Sequence, residues 1–359
     1  MPAPLNLNSL DRRIWEEELA EFVPNRVFDV HTHVYRWAFN LDPQKETGAY
    51  KSLLGDLYAD ASWEMADAID AALMPGREVH RLSFPFPFQH PCDFSGSNEY
   101  VAGQTAKDRQ SAALMLVHPG MSADEIEREI DKYGFLGLKP YRFYSSTGDA
   151  VECRLTDFLP EHQIALADRR GLILMMHLAK RDAIADRENL DDLMRLCEKY
   201  PSSRWILAHC ARSYSSWAIE RAAGTLRGLA NVWYDTSSVC ESDAMDALYT
   251  SVGTDRVMYG SDDIPVGVLR GKYIAFGCAW AFLSENNHAL NLSHCDERMT
   301  FTRYEQLRAM RRAAKRLGMT RVQTEALFYG TAADLIAACR ARQRPATGRV
   351  PAETQRTSH

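Results

Sequence analysis

His31 and His33 stand one residue apart at the end of the apolar run Phe-Asp-Val-His-Thr-His-Val. Three more ligand-type residues follow at the ends of other apolar runs: His177 after Leu-Ile-Leu-Met-Met, His209 after Trp-Ile-Leu-Ala, and Asp262 after Val-Met-Tyr-Gly-Ser. Residues i and i+2 of a strand point to one side, so the imidazoles of His31 and His33 project together while Thr32 faces away. Imidazole nitrogen and carboxylate oxygen bind divalent metals at about 2.0–2.2 Å, and two histidines of one strand serve one ion when other ligands complete its shell. Taken singly, each signal is ordinary. His-x-His arises by chance, His177 and His209 read as satisfied core histidines, and Asp262 reads as a turn residue or helix cap. Their coincidence at four strand ends points instead to a divalent metal at the mouth of a (β/α)8 barrel, whose C-terminal face carries the chemistry in such folds.

The elements that must position these residues are legible from residue 26 onward. Apolar runs alternate with helical patterns, the signature of a parallel sheet built from βα units. The runs predict strands at 26–30, 79–84, 112–117, 134–139, 172–177, 204–209, 232–236 and 257–260. The second ends abruptly at Phe84-Pro85-Phe86-Pro87-Phe88, because proline cannot donate to a ladder. Ser122 and Glu125 form a capping box that starts a helix running to Tyr133, with Gly134 as its stop. Further helices are expected over 158–170, 188–200, 214–228 and 241–251, the second ending at Pro201. Helical additions are expected at 12–22 and about 302–340, making 1–340 a single domain with a barrel core of about 26–285. The polar stretch 341–359 reads as disordered. The insertion from Tyr35 to about Asp60 is long for a βα loop and lies where substrate access is shaped.

The bulk properties exclude several classes. A net charge of -6 argues against a nucleic-acid or anionic-membrane surface. The apolar stretch 171–179 is far too short to span a bilayer, and the first residues lack the order of a signal peptide. The eight cysteines form no Cys-x-x-Cys pair and read as reduced thiols of a cytoplasmic protein, most of them small core residues.

Together Phe-Asp-Val-His-Thr-His, Gly-Leu-Lys-Pro, Met-Met-His, Ile-Leu-Ala-His-Cys and Met-Tyr-Gly-Ser-Asp, spread over residues 27–265, resemble the amidohydrolase superfamily and its amidohydrolase-2 branch. That branch holds metal-dependent hydrolases and non-oxidative decarboxylases. The resemblance implies that His31, His33, His177 and Asp262 ligate one divalent metal, with zinc expected and manganese, iron or cobalt compatible with the donors. It further implies that Asp262 shuttles a proton and His209 orients substrate or water. Lys139 then contacts a substrate carboxylate or, as a carbamate, bridges two metals; a snorkelling lysine is the plainer reading. Arg142 and Arg212 are placed to clamp a carboxylate or to form surface pairs. Tyr141 and Asp263 also fall at strand ends, His118 lies near the rim, and Trp37, Phe39 and Tyr273 are pocket or core aromatics. The activity expected first is attack of metal-bound hydroxide on a lactone, amide or similar carbonyl of a small carboxylate-bearing molecule. Non-oxidative decarboxylation of an aromatic or unsaturated acid is the alternative. Metal-free lactone hydrolysis and a non-catalytic barrel follow, the last disfavoured by several ionisable groups aimed at one cavity. A homodimer is a common outcome for such proteins.

Overall fold

The computed structural model describes residues 5–45, 54, 58–89, 91–285 and 290–343. Eight parallel strands form one sheet in sequence order: β1 (Arg26–His33), β2 (Glu78–Phe84), β3 (Ala112–Val117), β4 (Gly137–Pro140), β5 (Ile173–Met176), β6 (Arg204–Leu207), β7 (Val232–Asp235) and β8 (Val257–Met258). The sheet closes between its ends. Val30 N–H donates to the Tyr259 carbonyl (3.0 Å), Asp262 N–H to the His31 carbonyl (2.9 Å) and His33 N–H to the Asp263 carbonyl (2.5 Å). The protein is a (β/α)8 barrel. Most predicted strands sit within one or two residues of their expected bounds. The fourth starts at Gly137 rather than 134, because Gly134 adopts a left-handed conformation (φ 72°) that caps the preceding helix Ala123–Tyr133. The Ser122–Glu125 capping box is present.

Alternation along the strands divides the core in two. Phe28 and Val30 of β1, Leu82 and Phe84 of β2, Leu114 of β3, Ile173 and Met175 of β5 and Ile206 of β6 form the barrel interior, plugged by Ala332, Leu335 and Ile336 of the helix Thr331–Gln343. Val27, Met115, Leu174, Met176, Trp205, Leu207 and Val232 belong to the larger cluster, packed with helix residues such as Ile126, Ile130, Leu193 and Leu196. Strands buried on both faces explain the near-continuous apolar runs.

The C-terminal helices extend past the expected limit of 340 to Gln343, and the rest of the expected disordered stretch lies outside the described residues. Much of the 35–60 insertion also lies outside them. The helices Trp63–Leu73 and Phe94–Thr105 were not anticipated. Nor was an antiparallel hairpin of β9 (Gly271–Phe276) and β10 (Ala279–Ser284), which follows the barrel and pairs with no barrel strand. All eight cysteines are free and six are buried, as expected of core thiols. No described helix is long and apolar enough to cross a membrane.

Beneath β1 and β8 lies a buried ion network. Arg303, from the helix Thr302–Arg316, bonds Asp70 (2.5 Å) and contacts the Asp263 carboxylate, while Arg81 of β2 bonds both Asp70 and Asp67. Burial alone would raise the Asp70 pKa, but Arg81 and Arg303 overcome it and hold the group below its ordinary range. Removing one member strands the others in a low-dielectric interior, which costs roughly 3–5 kcal/mol. Arg303→Met should therefore lower the urea-unfolding free energy by about that amount. Asp191→Ala, which breaks an exposed pair with Arg187, should leave the midpoint unchanged.

Candidate metal centre and substrate cavity

The site begins with a kink. On β1, Asp29 pairs with Arg81 and Thr32 with Ser83, so Val30 and His31 together oppose Leu82 alone. This bulge resets the alternation: Phe28 and Val30 face the barrel interior, and His31 and His33 face it too. The Asp29 carboxylate accepts the His31 N–H (3.0 Å) and the Ser261 N–H across the seam (2.9 Å). Burial raises the Asp29 pKa to about 6 against the opposing pull of Arg303.

His31, His33, His177, His209 and Asp262 all line one cavity of about 360 Å³ at the C-terminal ends of the strands. A larger depression of about 1020 Å³, around Arg204 and Asn231 at the opposite end, contains none of them. The His31 Nδ1 lies 2.9 Å from Asp235 Oδ2, and the His33 Nδ1 lies 3.3 Å from the Pro85 carbonyl. Both partners are acceptors, so each Nδ1 carries the proton and each Nε2 presents a lone pair. Those two Nε2 atoms face Asp262 Oδ1 at 3.4 and 3.5 Å. Burial lowers the His31 pKa to about 3, with Lys139 adding to the effect, and burial lowers that of His33. Asp262 is ionised: burial would raise its pKa, but the His33 contact and the surrounding imidazoles hold it well below the carboxylate range. Three electron-pair donors converging on one buried point repel unless a cation lies among them. The set fits a divalent metal, and ligand atoms of His31, His33 and Asp262 lie within 4.8 Å of one another.

His177 lies outside that close group. Its ring is 5.2 Å from that of His209 (centroids), and among the described residues its buried Nδ1 has no hydrogen-bond partner. Burial and the neighbouring His209, Arg212 and Arg142 push its pKa well down, so it is neutral and a competent ligand across the cavity. The strand expected to carry His209 instead ends at Leu207. His209, Cys210 and Ala211 have φ/ψ near 55/45°, and Arg212 has φ 58°, forming a left-handed turn without glycine. Such backbone costs roughly 1–2 kcal/mol per residue, and strain of this kind concentrates at functional sites. His209 Nδ1 donates to the Ser237 carbonyl (3.0 Å), which leaves its Nε2 basic.

The two arginines at the rim are notable for what they lack. Arg142 and Arg212 line the cavity, yet among the described residues neither has an acidic partner within 4.0 Å. Their guanidiniums are anchored by backbone carbonyls, Arg142 by Ala150 and Arg212 by Lys180 (2.5 Å). Burial, with Arg142 adding to it, lowers the Arg212 pKa to about 10. Lys139 does not line the cavity. It is fully buried with its Nζ 4.4 Å from the Phe84 ring centroid and 5.0 Å from that of Tyr141, and burial lowers its pKa to about 7. Tyr141 and Tyr273 line the cavity; Trp37, Phe39 and His118 do not. Asp263 is committed to Arg303.

Sequence reasoning missed Asp235, Ser237 and Ser238. Asp235 Oδ1 accepts the backbone N–H groups of His209 and Ser237, both at 3.0 Å, while its Oδ2 holds His31. Burial would raise the Asp235 pKa, but the nearby His31 overcomes it, and the group is ionised. Ser238 Oγ donates to Asp262 Oδ2 (2.6 Å). The signal that marks them is the polar run Asp-Thr-Ser-Ser directly after the apolar β7.

Comparison with known proteins agrees with this architecture. A family model described as Amidohydrolase matches residues 28–337. No curated protein gives a significant sequence match. Similar solved structures include 5-carboxyvanillate decarboxylase from Sphingomonas paucimobilis (14% identity, 88% of this chain and 99% of that one, TM-score 0.56). A dihydroxybenzoic acid decarboxylase from Polaromonas sp. JS666, solved with manganese and the inhibitor 2-nitroresorcinol, is 13% identical over 89% and 99% of the two chains, with TM-score 0.53. A candidate 2-pyrone-4,6-dicarboxylic acid hydrolase from Pseudomonas putida is 15% identical over 88% and 98%, with TM-score 0.55. At these identities the likeness is one of fold.

Partners that orient a metal-binding histidine typically contribute 10–100-fold in affinity. Asp235→Asn should accordingly weaken manganese and zinc binding by about that factor, measured by competition with a chromogenic chelator.

Proposed function

Because the chain belongs to the amidohydrolase family, we propose that it is a metal-dependent, non-oxidative decarboxylase of a small aromatic carboxylic acid. The observation that carries this reading is one cavity with two unlike ends. At the bottom, the lone pairs of His31 and His33 meet the Asp262 carboxylate. At the rim, Arg142 and Arg212 have no acidic partner among the described residues, and Phe86, Tyr141, Phe143, Tyr214, Tyr273 and Trp280 line the walls between. A volume of about 360 Å³ suits a single-ring acid. The named 5-carboxyvanillate and dihydroxybenzoic acid decarboxylases support the same reaction class on this fold.

In this reading His31, His33, Asp262 and His177 hold one divalent ion, zinc or manganese by the character of their donors. When bound there, such an ion supplies Lewis acidity toward substrate oxygens and offsets the charge of an incoming carboxylate. The protein's own groups do the rest. Arg142 and Arg212 bind the acid by charge-assisted hydrogen bonds and orient it. Asp262, its second oxygen held by Ser238, takes up a proton from water or a substrate hydroxyl and delivers it to the ring carbon bearing the carboxylate. The pair of the breaking carbon–carbon bond then restores the aromatic ring, and carbon dioxide leaves. His209, with Nδ1 fixed by Ser237, presents Nε2 as an acceptor that orients a substrate hydroxyl.

Hydrolysis of a lactone or amide, the activity put first by the sequence, uses the same residues: Asp262 removes a proton from the attacking water and passes it to the leaving group. It becomes the second reading because the walls are predominantly aromatic and two of the three named structures are decarboxylases. Turnover of hydroxybenzoates by the metal-loaded protein in D2O distinguishes the two. Decarboxylation releases carbon dioxide and places deuterium on the carbon that lost the carboxylate. Lactone or amide substrates that instead take up ¹⁸O from labelled water, with no carbon dioxide from any acid, would establish hydrolysis. Asp262→Asn should lower turnover by about 10²–10⁴-fold, the usual worth of a positioned proton donor.

A further inference from the structure

The barrel strands and their loops supply every histidine, carboxylate and arginine of the cavity, but not its whole wall. Tyr273 and Trp280, both lining it, come from the hairpin β9–β10. In that ladder Tyr273 opposes Phe282 and Ala275 opposes Trp280, so one face of the hairpin carries three aromatic rings and one methyl group. The small Ala275 leaves the indole room to lie over its neighbour. The indole of Trp280 stacks on Tyr214 (centroids 5.3 Å, 22°), Tyr273 packs on the same ring at 4.7 Å, and Tyr214 in turn stacks toward His209 at 6.3 Å and 22°. The Arg212 guanidinium lies 5.3 Å from the Trp280 ring centroid. Its other anchor is the Lys180 carbonyl, and its backbone belongs to the left-handed turn. The hairpin is tied down at its base, where Gly271 N–H donates to Thr300 and Thr302 Oγ1 donates to the Gly271 carbonyl (3.1 Å). Its other face, with Ile274 and the exposed Phe276, has no part in the cavity.

We propose that this hairpin is the specificity element of the cavity, with Trp280 and Tyr273 selecting a flat aromatic acid and Trp280 setting the plane of Arg212. The proposal rests on the reading of the substrate as a small ring acid. A planar ring presents a π-face to the Tyr214–Tyr273–Trp280 wall while its carboxylate meets the Arg212 edge. A saturated ring of equal charge keeps the ion pair but loses the face contact. Trp280 is thus both a wall and a positioning residue for Arg212.

The test uses the manganese-loaded full chain and two unreactive probes of equal charge, benzene-1,3-dicarboxylate and cyclohexane-1,3-dicarboxylate, followed by titration calorimetry. The aromatic probe should bind about tenfold tighter or better. Trp280→Leu should remove most of that preference by weakening the aromatic probe more than the saturated one, Trp280→Phe should retain it, and Phe276→Ser on the opposite face should match the wild type. Equal binding of the two probes by the wild type, binding of neither, or an unchanged ratio in a folded Trp280→Leu protein would each overturn the proposal. The wild-type comparison needs no variant and so stands even if Trp280→Leu fails to fold. Ring preference without carbon dioxide release would leave the hairpin's role intact and overturn the decarboxylase reading; release without ring preference would do the reverse.

Discussion

Closing the barrel creates a problem at its seam, and the Asp29 carboxylate solves it. The bulge at Val30 and His31 takes the His31 N–H out of the ladder with β2, and an unpaired buried N–H costs about as much as a lost hydrogen bond. Asp29 accepts that N–H and, with the same oxygen, the Ser261 N–H from beyond β8. The two strand ends that carry His31 and Asp262 are therefore fixed to one atom. The Asp262 N–H returns the contact to the His31 carbonyl. A carboxylate buried this deeply needs a counter-charge, and Arg303 supplies it while also holding Asp70 and Asp263. The C-terminal helix that carries Arg303 is thus tied electrostatically to the position of the candidate ligands.

Above the seam, three of the four cavity imidazoles follow one rule, His177 being the exception: each is held from behind by an acceptor so that its other nitrogen faces the cavity. Asp235 does this for His31, Pro85 for His33 and Ser237 for His209. Burial keeps the rings of His31 and His33 neutral. The arrangement is unfavourable when empty of positive charge, because lone pairs and the ionised Asp262 oxygen crowd one point. Lys139 lies nearby but below the lining, boxed by Phe84 and Tyr141, and burial lowers its pKa to about 7. Positive charge is concentrated instead at the rim, on Arg142 and Arg212. A cavity basic and electron-rich at the bottom and cationic at the top attracts a cation to one end and an anion to the other.

The sequence displayed the order of these parts more readily than their attachment. Apolar runs ending in His177, His209 and Asp262 marked strand ends because a parallel sheet covered on both faces needs such runs, and the Ser122–Glu125 box marked a helix start because capping is local. The bulge in β1 was hidden: Asp29 beside it accepts a hydrogen bond from a residue 232 positions away, and no local pattern distinguishes that strand from a regular one. The left-handed turn was hidden for the opposite reason. His209, Cys210, Ala211 and Arg212 include no glycine or asparagine to announce positive φ, so the run read as strand through His209. Lys139 shares the strand-end signature of the ligands, yet depth within the barrel depends on stagger between strands, which spacing along one chain does not encode. The hairpin was missed because it follows the last barrel strand, beyond the βα repeat that set the expected elements.

The turn at 209–212 shows how these constraints combine. Four consecutive non-glycine residues in the left-handed region are tolerated only when surrounding contacts over-determine them. Here the His209 N–H is bound to Asp235, its ring to Ser237, Cys210 packs on Met245, and Arg212 reaches both Lys180 and Trp280. A right-handed turn would send His209 and Arg212 in different directions. The left-handed one sets both along the same cavity wall, one deep and basic, the other at the rim and cationic. On the proposed reading the strain has a use that no relaxed backbone would serve: it fixes the distance between the group proposed to face the reacting end of a ligand and the group proposed to face its charge.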